Sequence, residues 1–99
     1  MRVRWSIQAR DDLLKIGDYI AADDPKAARL WVEKLRERAR RAGRTPGSGR
    51  IVPRFERDDV REVFFRTYRI VYRVLTREIL VLTVREGHKL TDDVDPDTD

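Results

Sequence analysis

Arginines at Arg61, Arg66, Arg69, Arg73, Arg77 and Arg85 are threaded through the apolar stretch VREVFFRTYRIVYRVLTREILVLTVREG, Val60–Gly87. A guanidinium is a planar fork that binds phosphate or carboxylate bidentately, so this stretch does more than fill a core. It both holds the fold and presents a charged working surface. Proton transfer has one candidate pair, Glu86 and His88. His88 is the only imidazole in the chain, and imidazole is the side chain most often used as a general acid or base. The i, i+2 spacing puts the two on one side of a strand that continues past Gly87, although glycine often interrupts strands. The alternative is an exposed histidine after the last strand. With no Cys and one His, the chain has no thiolate nucleophile, no disulfide framework and no Cys/His zinc site. No metal or cofactor is expected. RTPGSGR (Arg44–Arg50) lacks the Gly-Lys-Ser/Thr ending of a phosphate-binding loop and reads as a plain turn.

The elements that must position these residues follow from periodicity. Arg2–Trp5 alternates basic and apolar residues and reads as a short strand. Ser6 caps a helix running to about Ala22, with Ala9, Leu13, Ile16 and Ile20 at helical spacing. Asp11, Asp12 and Asp18 fall on its outer face. Asp24 caps a second helix with Pro25 at its first position. Ala28, Val32, Leu35, Ala39 and Ala42 form its apolar stripe, and Gly43 reads as a left-handed cap. The few residues between the helices make an antiparallel hairpin. Three strands close the chain, about Val60–Phe65, Tyr68–Leu75 and Ile79–Arg85, joined by short turns into a meander. Ile70, Tyr72 and Val74 face one way, and Arg69, Val71, Arg73 and Leu75 the other. The fold class is α+β: an N-terminal strand and a helical hairpin packed on a small antiparallel sheet.

The 99 residues make one domain, over residues 1–90, followed by a tail. Residues 91–99 hold five acids and no base, so removing their charge from the net +4 leaves +9 on the body. The tail is expected to be disordered. The basic body attracts nucleic acid or an acidic protein. A second reading lays the tail back over the basic surface as a weak self-mask. No apolar run of about 18 residues exists to span a membrane, and the opening residues lack a signal peptide's apolar core. The expected location is the cytoplasm.

The order of elements resembles the RelE/ParE superfamily of toxins from type II toxin–antitoxin systems, over about residues 3–90. WSIQARDDLLKIGDYIAADDPKAA (Trp5–Ala28) is similar to the family's opening helix pair. GRIVPRF (Gly49–Phe55) resembles its Gly-Arg-x-Val-Pro segment, and REVFFRTYRIVYRV (Arg61–Val74) its Arg-Glu, Tyr-Arg-Ile and Tyr-Arg-Val strands. LTVREGHKL (Leu82–Leu90) resembles its closing strand and following glycine. The motifs lean towards the ParE branch, although ParE-like chains often carry a histidine where Glu86 stands.

The resemblance implies a toxin held silent by a cognate antitoxin. A ParE-like toxin binds and poisons DNA gyrase; a RelE-like one cuts mRNA on the ribosome. Cleavage through the 2′-hydroxyl needs a base, an acid and positive charge on the phosphorane. Arg66, Arg69, Glu86, His88 and Lys89 are the residues for that role. The chain has no lysine from Val60 to Glu86 and no tyrosine after Gly87, where the RelE-like pattern places catalytic ones. The resemblance therefore favours gyrase, with Arg61, Arg69, Arg73, Arg85 and Lys89 as target-binding candidates. Trp5, Trp31, Leu35 and Arg38 are the candidates for antitoxin contact. A third reading is a bare binding module. Arg69 and Arg73 also have a structural alternative: pairing across strands with Glu62 or Glu78.

Overall fold

The structure, a computed structural model, describes residues 1–98. Asp99, the last residue of the expected tail, lies outside them. The order is β1 (Arg2–Trp5), α1 (Ile7–Ala21), α2 (Pro25–Arg44), β2 (Arg50–Ile51), β3 (Val60–Phe65), β4 (Tyr68–Val74) and β5 (Glu78–Glu86). Short 3₁₀ turns at Pro46–Ser48 and Pro53–Phe55 flank β2.

Both helix starts are built as their sequences require. The Ser6 hydroxyl accepts from the Ala9 amide at 3.0 Å, and one Asp24 carboxylate oxygen accepts from the Lys26 and Ala27 amides, each at 3.1 Å. These contacts satisfy amides that have no partner inside the helix. Gly43 departs from its expected role. It sits inside α2 with no positive φ; its carbonyl accepts from the Met1 amino group at 3.0 Å. A β-carbon there would stand 2.9 Å from the Met1 carbonyl oxygen. Glycine is needed because β1 crosses against the helix, and α2 ends at Arg44, with Thr45 as its cap just before Pro46.

The sheet order is β1-β5-β4-β3-β2. β2 to β5 pair antiparallel as a meander, whereas β1 runs parallel to β5, with Trp5 opposite Val81. The sheet is therefore mixed rather than wholly antiparallel. The helical hairpin carries the chain from β1 at one edge to β2 at the other, and the meander then steps back until β5 lies beside β1 in the same direction. It covers one face: Ala9, Leu13, Leu35, Ala39 and Ala42 pack on Ile70, Tyr72, Ile79 and Val81.

β5 carries a bulge. Val71 pairs with Thr83, but the next residue, Tyr72, pairs with Val81. The extra residue shifts the alternation by one. Leu80 and Leu82 lie in the cluster on the outer face, Val84 returns to the helix-side core, and Arg85 comes opposite Arg69.

β1 is too short to cover all of β5, and α1 closes part of the gap. The Ser6 hydroxyl donates to the Leu82 carbonyl at 3.0 Å. The Asp12 carboxylate accepts from the Val84 amide at 3.1 Å and from the Thr83 hydroxyl. Asp12 thus faces the sheet, not solvent as its acidity suggested. The tail also departs from expectation. Residues 91–98 lie against the outer sheet face, where Val94 is 4% exposed and packs with Val52, Val60 and Val71. That aliphatic anchor, with arginines beneath the aspartates, offsets the entropy that acidic composition alone would leave uncompensated.

Candidate functional site

The outer face brings together much of the predicted surface. Arg69 on β4 and Arg85 on β5 are directly opposite in register, an arrangement of like charges that needs counter-charge. Each arginine is compensated, and much of the compensation comes from the tail. Arg69 bonds Glu62 at 3.2 Å and donates to the Lys89 carbonyl at 2.6 Å. Arg73 donates to the Pro96 carbonyl at 2.7 Å and lies 3.7 Å from the Asp97 carboxylate. Arg85 donates to the Leu90 carbonyl at 2.7 Å, to Asp93 at 2.8 Å and to the Thr83 hydroxyl at 3.1 Å. The three side chains are only 12–13% exposed. Of the cross-strand alternatives, Glu62 does pair with Arg69, while Glu78 pairs with Arg2 and Arg4 instead of Arg73.

Two further arginines complete this rim, and neither was singled out from the sequence. Arg54 contacts Asp92 through its carbonyl at 3.0 Å and its carboxylate at 3.3 Å. Arg57 holds Asp59 at 2.9 Å and Asp97 at 2.8 Å. These contacts move proton affinities in the direction charge pairing requires. Hydrogen bonding from Arg57 holds the Asp59 carboxyl below its usual value, and Arg85 does the same for Asp93. The Asp59 and Asp97 carboxylates raise the Arg57 guanidinium above its usual value.

Glu62 is the central counter-ion. Its side chain is fully buried; it accepts from Arg50 Nε at 2.8 Å, from Arg50 Nη2, and from Arg69. A buried carboxylate survives only with such donors. Gly49 has an equally physical reason in GRIVPRF. A β-carbon there would fall 2.2 Å from the Tyr72 hydroxyl oxygen, which donates to the Pro46 carbonyl at 2.7 Å. Burial pushes the Tyr72 phenol above its ordinary value.

Arg61 faces another task. It donates to the Asp58 carbonyl at 2.9 Å and the Gly49 carbonyl at 2.8 Å, pinning the loop before β2. Of the possible nuclease set, Arg66 sits in the β3–β4 turn at φ 56°, a left-handed position uncommon for a side chain of its size. β5 ends at Glu86, and a turn begins at Gly87. Glu86 and His88 lie 3.5 Å apart, 44% and 75% exposed. Lys89 lines an open cleft of about 700 Å³ with Arg85, Glu86, Lys15, Tyr19 and Tyr68. Among the described residues no hydrogen bond or ion pair joins Arg66 to the Glu86–His88 pair, and Arg69 is bound to Glu62. Glu86 and Lys89 thus share that cleft, while Arg66 and Arg69 are not joined to the exposed Glu86–His88 pair.

The helix-side candidates separate. Leu35 is fully buried and belongs to the core, so it cannot be a surface contact without unfolding. Trp31 stands edge-on to Phe65 and Tyr68, at 5.6 and 5.9 Å between ring centroids, a favourable aromatic geometry that covers the sheet's end. Arg38 donates to the Phe64 carbonyl at 3.1 Å, and its partial burial, with Arg41 nearby, lowers its proton affinity. Trp5 lines an apolar cleft of about 400 Å³ between the helices, with Leu13, Leu14 and Val32. Leu14, Tyr19 and Leu30 lie exposed on the helices.

The profile of a family described as "ParE toxin of type II toxin-antitoxin system, parDE" matches residues 3–90. A protein of Sinorhizobium fredii named as a candidate toxin, Y4kP, is 34% identical over 90 residues, covering 89% of this chain and 90% of that protein. A solved chain of the chromosomal ParDE TA system from P. aeruginosa superposes with a TM-score of 0.71 at 25% identity, over 87% of this chain and 95% of that one.

Proposed function

Since this chain belongs to the ParE toxin family of type II toxin–antitoxin systems, we propose that it arrests growth by binding and poisoning DNA gyrase in the cytoplasm. A cognate antitoxin neutralises it. The observation that carries the choice of a binding mechanism over RNA cleavage is the state of the nuclease candidates. Glu86 and His88 form a solvent-exposed pair, while Arg69 is committed to a buried carboxylate. A general acid and base need a shielded site near their substrate. The outer sheet face, with Arg69, Arg73 and Arg85, and the segment carrying Lys89 are the surfaces we assign to the target. The antitoxin is assigned to the helical hairpin. Exposed Leu14 on the Trp5 cleft and exposed Leu30 beside Trp31 offer it apolar area on the helices.

Expression without antitoxin tests the reading, with DNA and protein synthesis followed separately by labelled precursors. Gyrase poisoning stops thymidine incorporation first and leaves translation running. Early loss of amino-acid incorporation with DNA synthesis intact would instead indicate ribosomal mRNA cleavage. Unimpeded growth at full expression of folded protein would mark a binding module without toxicity.

A further inference from the structure

We propose that the outer sheet face is a groove for an extended acidic segment of a partner protein, and that residues 91–98 are its built-in occupant. The observation is how each arginine reads the tail. Arg85 takes a main-chain carbonyl, that of Leu90, and a carboxylate, that of Asp93. Arg54 takes both from Asp92. Arg73 takes the Pro96 carbonyl beside the Asp97 carboxylate. A fork that engages a backbone carbonyl and a neighbouring carboxylate matches peptide, in which the two stand side by side, whereas the sugar–phosphate backbone of a nucleic acid carries neither. Between these polar contacts Val94 is buried against Val60, Val71 and Leu80. The aliphatic pocket between the arginines selects an acidic–apolar–acidic pattern, and its apolar part gives a phosphate no contact.

The occupant is held loosely enough to be exchanged. The carboxylates of Asp92, Asp93 and Asp97 are 69–75% exposed, and ion pairs of that kind contribute little each. The tail competes mainly through its tether. A short flexible connection holds a segment at an effective concentration of about 1 mM. If the free segment bound with a Kd of about 0.1 mM, the groove would be closed about ten to one, and a partner's apparent Kd would rise about tenfold. This holds whichever machine the toxin acts on.

A labelled peptide copying residues 91–98, TDDVDPDT, tests it by fluorescence anisotropy against two full-length proteins. One is the natural chain, and the other carries Asp92→Asn, Asp93→Asn, Val94→Ser and Asp97→Asn to release the tail. The released chain is expected to bind the peptide about tenfold more tightly, and to weaken as salt rises to about 0.5 M. Adding Arg85→Gln to the released chain should abolish the gain. Equal binding by the two proteins overturns the proposal, and so does a gain for an eight-nucleotide oligothymidine without one for the peptide. Should the fourfold variant fail to fold, Asp93→Asn with Asp97→Asn, which keeps Val94, must still give an increase. No increase overturns the proposal equally.

Discussion

Replacing Glu62 by Gln isolates the electrostatic centre of the sheet. The Glu62 side chain is fully buried and Arg69 is 13% exposed, whereas Arg50 is 67% exposed. Arg50 can return to water when the charge is removed, but Arg69 cannot. It keeps the Lys89 carbonyl and a neutral amide oxygen in place of a carboxylate, with its Nε already buried and unpartnered among the described residues. Breaking a buried pair by removing one partner costs about 3–5 kcal/mol. Gln preserves shape and one acceptor, so the loss should sit at the lower end, about 3 kcal/mol. In urea, with a slope of about 2 kcal/mol/M, that is a midpoint lowered by about 1.5 M at unchanged slope. Removing both charges, as Glu62→Leu with Arg69→Met, leaves no orphan and should cost about 1 kcal/mol or less. Equilibrium urea unfolding of the single and double variants checks this. A loss under about 1 kcal/mol for Glu62→Gln, or a double variant worse than the single, would refute the reasoning.

Other outcomes follow from the same geometry. Gly49→Ala drives a β-carbon into the Tyr72 hydroxyl; it should cost about 3 kcal/mol by thermal unfolding, with part recovered on adding Tyr72→Phe. Asp12→Ala leaves the Val84 amide and Thr83 hydroxyl without their acceptor, so a loss of about 2 kcal/mol and faster amide exchange at Val84 are expected; unchanged exchange would contradict the edge-closing role. For pH, Asp93 and Asp59 have carboxyls lowered by arginine partners. Their contribution is present above the unfolded value, near about 4, and is lost as pH falls through the lowered folded values. Backbone resonances of residues 91–98 should therefore hold steady from neutral pH down to about 4 and shift below it; a transition well above pH 4 would contradict the arginine pairing.

What could be read from the sequence divides along physical lines. The helices and the meander were legible because their signals are local: Ser6 and Asp24 as caps, a period near four in the helices, and alternation in β3 and β4. β1 was legible as a strand but not as the parallel partner of β5, because that pairing joins segments more than seventy residues apart. Gly43 carried a cap signal, but the close approach of Met1 decides its role. Asp12 was read by charge alone. Its spacing of three from Ala9 and four to Ile16 places it on the buried stripe, which was the missed signal. The arginine face was visible in composition, and the tail's charge suggested that it could lie back over that face, but not what would anchor it there. Val94 alone among aspartates was the clue, and composition averaged it away.

The most direct test of the account is a gyrase supercoiling assay with purified, antitoxin-free protein, scoring both inhibition and trapped cleaved DNA. The account predicts loss of supercoiling with accumulation of cleaved DNA, relieved when Arg73 and Lys89 are replaced together. Full gyrase activity beside folded toxin would contradict it and move the search for a target to the ribosome.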